Sequence, residues 1–260
     1  MAPWRRIAAA VAAAVALGGA PAPAGAQAKP DPASPCRPML YEDAGYVVCT
    51  IDLRKYQLKL FWRGPDGEAY GSFGRLTEAH KDIAFAMNGG MYDPDRAPVG
   101  LYVENGALLK RANTANGPGN FHLKPNGVFY ATRDGAGVAE TGRYLRLKPR
   151  AEIATQSGPM LVIDGKIHPK ISYEGPSRKI RNGVGVRDPH TVVFAISDGL
   201  VTFGQFARLF RDALGCHNAL FLDGSISSLH APALRRTDAR GPLGPIIAAV
   251  ERPAGKPAPR

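Results

Sequence analysis

The chain has 260 residues, of which 45% are hydrophobic, enough for one domain with a sizeable core. Its 33 lysines and arginines exceed 22 acidic residues, for a formal net charge of +11. That balance invites a nucleic-acid reading, but the basic residues fall in scattered groups at 143–150, 178–187 and 235–240. There is no basic helix and no aromatic–basic alternation of the kind a stacking platform needs, so anionic glycans, phosphates or lipid headgroups are the better-suited partners.

Residues 1–26 read as a secretory signal. Arg5 and Arg6 give a positive n-region, 7–17 an apolar h-region, and Ala24-Gly25-Ala26 small residues before a cut at Gln27. The apolar run is shorter than the roughly 20 residues that span a bilayer, and no other stretch reads as transmembrane. A periplasmic or secreted protein is expected. Residues 27–45 form a lead-in segment, 46–251 the folded domain, and 252–260 a disordered tail. Export permits a disulfide. Cys36 and Cys49, close together near the start of the folded part, are the expected pair; Cys216 is expected to be a buried free thiol. The cysteine spacing matches no zinc motif.

Residues 46–53 and 57–62 read as strands, the second alternating with Leu58, Leu60 and Trp62 on one face. A helix is expected over 73–81. Residues 83–87 are an apolar run bounded by turn residues, hence a fully buried strand. Val99 to Glu104, Asn105-Gly106 and Ala107 to Leu109 carry a hairpin signature. A polar Asn/Gly loop at 111–120 precedes strands at 127–131 and 160–163, and 183–186 and 192–196 form a further hairpin around Asp188-Pro189. Thr202 and Gln205 make a capping box for a helix whose apolar positions run from Phe203 to Leu214, with Gly215 placed to end it. The balance is α+β: a single domain around a mixed, mainly antiparallel sheet with few helices.

Three apolar runs empty into, or out of, polar loops that bear glycine: 83–87 into Asn88-Gly89-Gly90-Met91-Tyr92-Asp93, 160–163 out of Gln156-Ser157-Gly158-Pro159, and 219–222 into Asp223-Gly224-Ser225. A strand end holds a polar side chain rigidly, and glycine lets backbone N–H groups approach a ligand. Asp223 is either a catalytic carboxylate or the acceptor of an Asx-turn. Asp93, with Asp95 nearby, is a second carboxylate, a solvated turn or part of a calcium loop. Arg181 is a candidate anion-binding fork or a surface arginine. No Walker loop, metalloprotease motif or nucleophile elbow is present, the six histidines lack metal-ligand spacing, and no cofactor motif appears.

Four segments occur in a telling order: FAMNGGMYDPDRAPVGLYVENG, ATQSGPMLVIDGKIHP, IRNGVGV and NALFLDGSISSL. Together they resemble the phosphodiester glycosidase family, and within it a bacterial branch of exported proteins, from about residue 46 to 250. The resemblance implies that Asn88, Gly89 and Gly90 match the family's Asn-Gly-Gly turn. Gln156, Ser157, Gly158 and Pro159 match its Gly-Pro strand entry, Arg181 its arginine, and Asp223-Gly224 its late Asp-Gly loop. Two positions depart: Ser225-Ile226-Ser227-Ser228 stands where the family carries further Gly and Ser, and Asn182 where it carries Thr or Ser. The implied activity is cleavage of the sugar C1–O bond of a glycosyl phosphodiester. Asp223 would be nucleophile or base, Asp93 the second carboxylate, and Asn88, Gly89, Gly90, Gln156, Ser157, Gly158, Arg181, Gly224 and Ser225 would bind substrate. A non-catalytic binder of envelope glycans and an exo-glycosidase on phosphate-free glycans are the alternatives.

Overall fold

The computed structural model describes residues 34–252. The expected signal segment and most of the expected tail lie outside them.

Among the described residues the strands form three sheets, and every strand pairing is antiparallel. The expected mixed sheet is therefore antiparallel throughout. The first sheet has seven strands in the spatial order Cys36–Tyr41, Ala44–Asp52, Thr191–Ser197, Asn182–Asp188, Asn218–Asp223, Met160–Ile163 and Lys166–Ile167. The second sheet orders Arg236–Thr237, Leu229–Ala231, Ile83–Asn88, Ile246–Glu251 and Tyr56–Phe61. The third orders Ala107–Lys110, Tyr102–Glu104, Ile153–Ser157, Gly127–Thr132 and Gly135–Glu140. The segment read as a lead-in thus supplies the edge strand Cys36–Tyr41. Its first residue faces Cys49 in register and is joined to it by a disulfide. Cys216 is free and buried.

One phenylalanine from each sheet meets at the centre. Phe85 of the second sheet lies 4.8 Å from Phe194 of the first, and Phe129 of the third lies 5.7 Å from Phe194, ring centre to ring centre. All three are fully buried, and at about 1.5–3 kcal/mol for each buried large apolar side chain this contact holds the sheets together.

The helix Phe203–Arg208 starts at the expected capping box and continues as one π-helical stretch, Leu209–Ala213, before Gly215 turns it with φ +64°. Its Phe206 and Phe210 side chains pack closely on the strand Asn182–Asp188 because that strand alternates glycine. A Cβ at Gly183 would meet Phe206 at 3.1 Å, and one at Gly185 would meet Cys216 Sγ at 2.7 Å. The helix Phe73–Ala79 is present as expected. The helix Thr141–Leu147 lies in a basic stretch with only partial apolar periodicity and was not legible.

Candidate active site

Four strand ends bring their polar residues together. Asn88 ends Ile83–Asn88, Ser157 ends Ile153–Ser157, Asp223 ends Asn218–Asp223, and Asn182 opens Asn182–Asp188. All four are buried. Asn182 is the joint. Its Nδ2 donates to the Asn88 carbonyl and to Asn88 Oδ1, each at 3.0 Å, and its Oδ1 accepts the Asp223 N–H at 3.0 Å. Asn88 Oδ1 also accepts the Ser228 N–H at 2.8 Å. Ser227 Oγ sits 2.9 Å from the Asp223 carbonyl and 3.2 Å from Asn182 Oδ1. The two departures from the family pattern therefore work together: Asn182, Ser227 and Ser228 close the polar node that holds the Asp223 strand end against Asn88.

Asp223 is 8% exposed. Its Oδ1 accepts the Gly224 N–H at 2.6 Å and the Ser225 N–H at 2.7 Å. These two bonds make the Asx-turn, and the same residue lines a cavity of about 320 Å³. Gly224, Ser225, Tyr92 and Asn120 share that lining. Burial raises the Asp223 pKa, while the N–H groups of Ser225, Gly224 and Ile226 oppose the shift. Tyr92 is pushed up to about 12, first by burial and then by the Asp223 charge. Its hydroxyl donates to the Pro242 carbonyl at 2.8 Å, which fixes the ring.

Arg181 is fully buried behind this turn. Its guanidinium stacks 3.6 Å from the Phe203 ring centre, Nε donates to the Val201 carbonyl at 3.1 Å, and Nη2 to the Ser177 carbonyl at 2.8 Å. Burial lowers its pKa to about 10. Nη1 has no partner and lies 3.6 Å from where a Cβ on Gly224 would sit. Asn88 Nδ2 is a second buried donor without a partner. Arg181, Asn88 and Ser157 thus pack behind the Asp223 loop and do not line the cavity as an open fork would.

The remaining expected substrate-binding residues act as supports. Ser157 Oγ donates to the Leu222 carbonyl at 2.9 Å, fastening the third sheet to the Asp223 strand. Gln156 spends its whole amide inside the protein: Oε1 accepts the N–H groups of Leu101 and Asn113, each at 2.9 Å, and Nε2 donates to the Asn113 carbonyl and Thr141 Oγ1. It thereby anchors the polar loop that leads to Asn120. Gly89 N–H donates to the Pro245 carbonyl at 2.7 Å. A Cβ at Gly90 would fall 2.4 Å from the Gln156 carbonyl oxygen, and one at Gly158 2.8 Å from the Phe121 carbonyl oxygen, so both glycines permit close backbone packing. Asp93 Oδ1 accepts the Ala97 N–H at 2.9 Å, which closes a turn beside Tyr92 and leaves Asp93 outside the cavity lining. Among the described residues no cluster of His, Cys, Asp or Glu has the geometry of a metal site.

Tyr92 and Asn120 were not singled out from the sequence, and Asn182 was noted only as a departure from the family pattern. Tyr92 and Asn182 carried a signal, since each adjoins a residue that was singled out. Asn120 carried none beyond its polar loop.

The family model for phosphodiester glycosidases matches residues 81–241, which contains every element of this site. The chain belongs to the phosphodiester glycosidase family. Its relatives include the uncharacterized protein YigE of Escherichia coli K12, 38% identical over 184 residues that make up 70% of this chain and 72% of YigE. In fold it is similar to the catalytic domain of zebrafish N-acetylglucosamine-1-phosphodiester alpha-N-acetylglucosaminidase, with a TM-score of 0.60 at 15% identity, covering 84% of this chain and 82% of that one. A hypothetical protein from Synechocystis matches with a TM-score of 0.52 at 14% identity, covering 84% of this chain and 61% of that one. At these identities the two structures establish the fold. Among the described residues no helix is long and apolar enough to cross a membrane.

Proposed function

We propose that this protein is an exported hydrolase that cleaves the sugar C1–O bond of a glycosyl phosphodiester in an envelope or extracellular glycan. One observation carries the choice: Asp223 is the single carboxylate lining the cavity. An ordinary glycoside needs two carboxyl groups, one to protonate the leaving oxygen and one to act on the anomeric side. A phosphate monoester leaves with a second pKa of about 6, so it departs without a general acid. One carboxylate is then sufficient. The phosphate-free exo-glycosidase reading loses support on the same ground, because Asp93 lies outside the cavity lining.

In this mechanism the anchored Oδ1 fixes the carboxylate plane, and the other oxygen attacks the anomeric carbon or takes a proton from water. The buried Arg181 cation, whose unspent Nη1 lies beside Gly224, stabilises negative charge on the phosphate through its field. Tyr92 and Asn120 contact the sugar.

The test is product identity. UDP-N-acetylglucosamine and a panel of glycan phosphodiesters should yield free sugar and the intact phosphate fragment, UDP in the first case. Sugar-1-phosphate with UMP would mark a pyrophosphatase. Turnover confined to phosphate-free glycosides would restore the exo-glycosidase reading. Glycan binding without turnover of any diester would establish a non-catalytic binder.

A further inference from the structure

A second concavity lies away from the Asp223 cavity. Ile153 lines it, at the far end of the strand whose other end is Ser157, about 13 Å away at strand rise. It is an open groove of about 1280 Å³ between the third sheet and the strand Tyr56–Phe61. Its floor is apolar, built from Leu101, Val103 and Ile153. Leu108 and Leu145 stand on its walls, 57% and 40% exposed. Four of the seven large hydrophobic side chains exposed among the described residues lie in the segments 107–111 and 143–150: Leu108, Leu109, Leu145 and Leu147.

The rim is basic. Lys59, Arg133, Lys148 and Arg150 line the groove against Asp134 and Glu152. Glu152 is occupied by Arg133 at 3.3 Å, which leaves Lys59, Lys148 and Arg150 facing Asp134 alone. The flanking segments 107–111 and 143–150 read ALLKR and RYLRLKPR, with no acidic residue. Leu108 and Leu145 beside Lys59, Lys148 and Arg150 around one groove is the combination that binds the interface of an anionic bilayer: the apolar groups enter the acyl boundary and the cations meet the headgroup phosphates.

We propose that this leucine-and-lysine face docks the protein on the surface of a bilayer carrying anionic phospholipids. The groove contributes nothing to hydrolysis, so docking stands or falls independently of the proposed activity. The chain from Gln27 onward retains every described element and lacks the apolar leader, which would otherwise confuse a membrane assay.

The experiment is co-sedimentation of that chain with vesicles of phosphatidylcholine containing phosphatidylglycerol, against pure phosphatidylcholine, at low and high salt. Binding is expected only to the anionic vesicles and should weaken with salt. At about five-fold per basic side chain brought to an anionic surface, Lys148→Glu with Arg150→Glu should weaken binding by about 25-fold or more. Leu108→Ser with Leu145→Ser should weaken it by about ten-fold. All four positions are exposed, and circular dichroism verifies that each variant folds. A control, Arg37→Glu with Leu40→Ser in the strand Cys36–Tyr41, changes charge and apolar surface elsewhere and should bind as the parent does. Equal loss in the control, equal binding to both vesicle types, or no binding to either overturns the proposal. So does full competition by millimolar inorganic phosphate, which would mark a small-anion site and not a bilayer surface.

Discussion

Asn182→Ala tests the polar node most directly. The substitution removes the amide that joins Asn88 to Asp223. The Asp223 N–H loses its acceptor at 3.0 Å, and the Asn88 carbonyl loses its donor at 3.0 Å, both in a buried setting. At about 1–3 kcal/mol for each of the two buried groups left without its partner, the expected cost is about 2–6 kcal/mol. Urea denaturation should show a lower midpoint at unchanged slope. Asn182→Ser should fall between, since one hydroxyl cannot span both partners. Because Asn88 and Asn182 touch, Asn88→Ala and Asn182→Ala together should cost less than the sum of the two by about 1–2 kcal/mol. A loss below about 1 kcal/mol for Asn182→Ala, or full additivity in the cycle, would refute the view that one shared amide holds the site.

Four further outcomes are expected. Asp223→Asn should lower turnover at least about 10³-fold, as expected for a lost base or nucleophile. Burial raises the folded-state pKa of Asp223, so the wild type loses stability as pH rises through its unfolded value of about 3.9 and then its folded one. In thermal melts the Asn variant should therefore equal or exceed the wild type at pH 7, with the difference shrinking toward pH 3, and a less stable variant at pH 7 would contradict this. Wild-type turnover should rise with pH as the carboxylate ionises. Arg181→Lys loses the Val201 hydrogen bond and the stack on Phe203; about 1–3 kcal/mol of stability should go, and KM for phosphodiesters should rise, which steady-state kinetics would show. Gln156→Glu replaces donors to Asn113 and Thr141 with an acceptor, so limited proteolysis should cut faster within 111–119 and stability should drop by about 1–3 kcal/mol. A non-reducing peptide map should link Cys36 to Cys49 and leave Cys216 free, and Cys36→Ser with Cys49→Ser should cost about 2–4 kcal/mol.

The sequence by itself determined the elements whose signals are local. The capping box at Thr202 and Gln205, the buried run 83–87, the hairpin around Asn105-Gly106 and the strand leading to Asp223 all follow from periodicity, caps and turn residues within a few positions. The ordered motifs also brought out Asn88, Ser157, Arg181 and Asp223, which the fold gathers across 135 positions. Tertiary structure decided what each of them does. Whether Gln156 meets substrate or spends its amide on Asn113 depends on a loop 43 residues away. Whether Arg181 is an open fork or a buried cation depends on the helix that places Phe203 over it. The edge strand Cys36–Tyr41 was not legible, and Asn182, Ser227 and Ser228 stood out only as departures from the family pattern, because both features exist only through partners supplied by distant strands. Local sequence fixes which backbone a segment favours, whereas the use of a buried hydrogen-bonding group is set by whichever partner the packed sheets bring within about 3 Å of it.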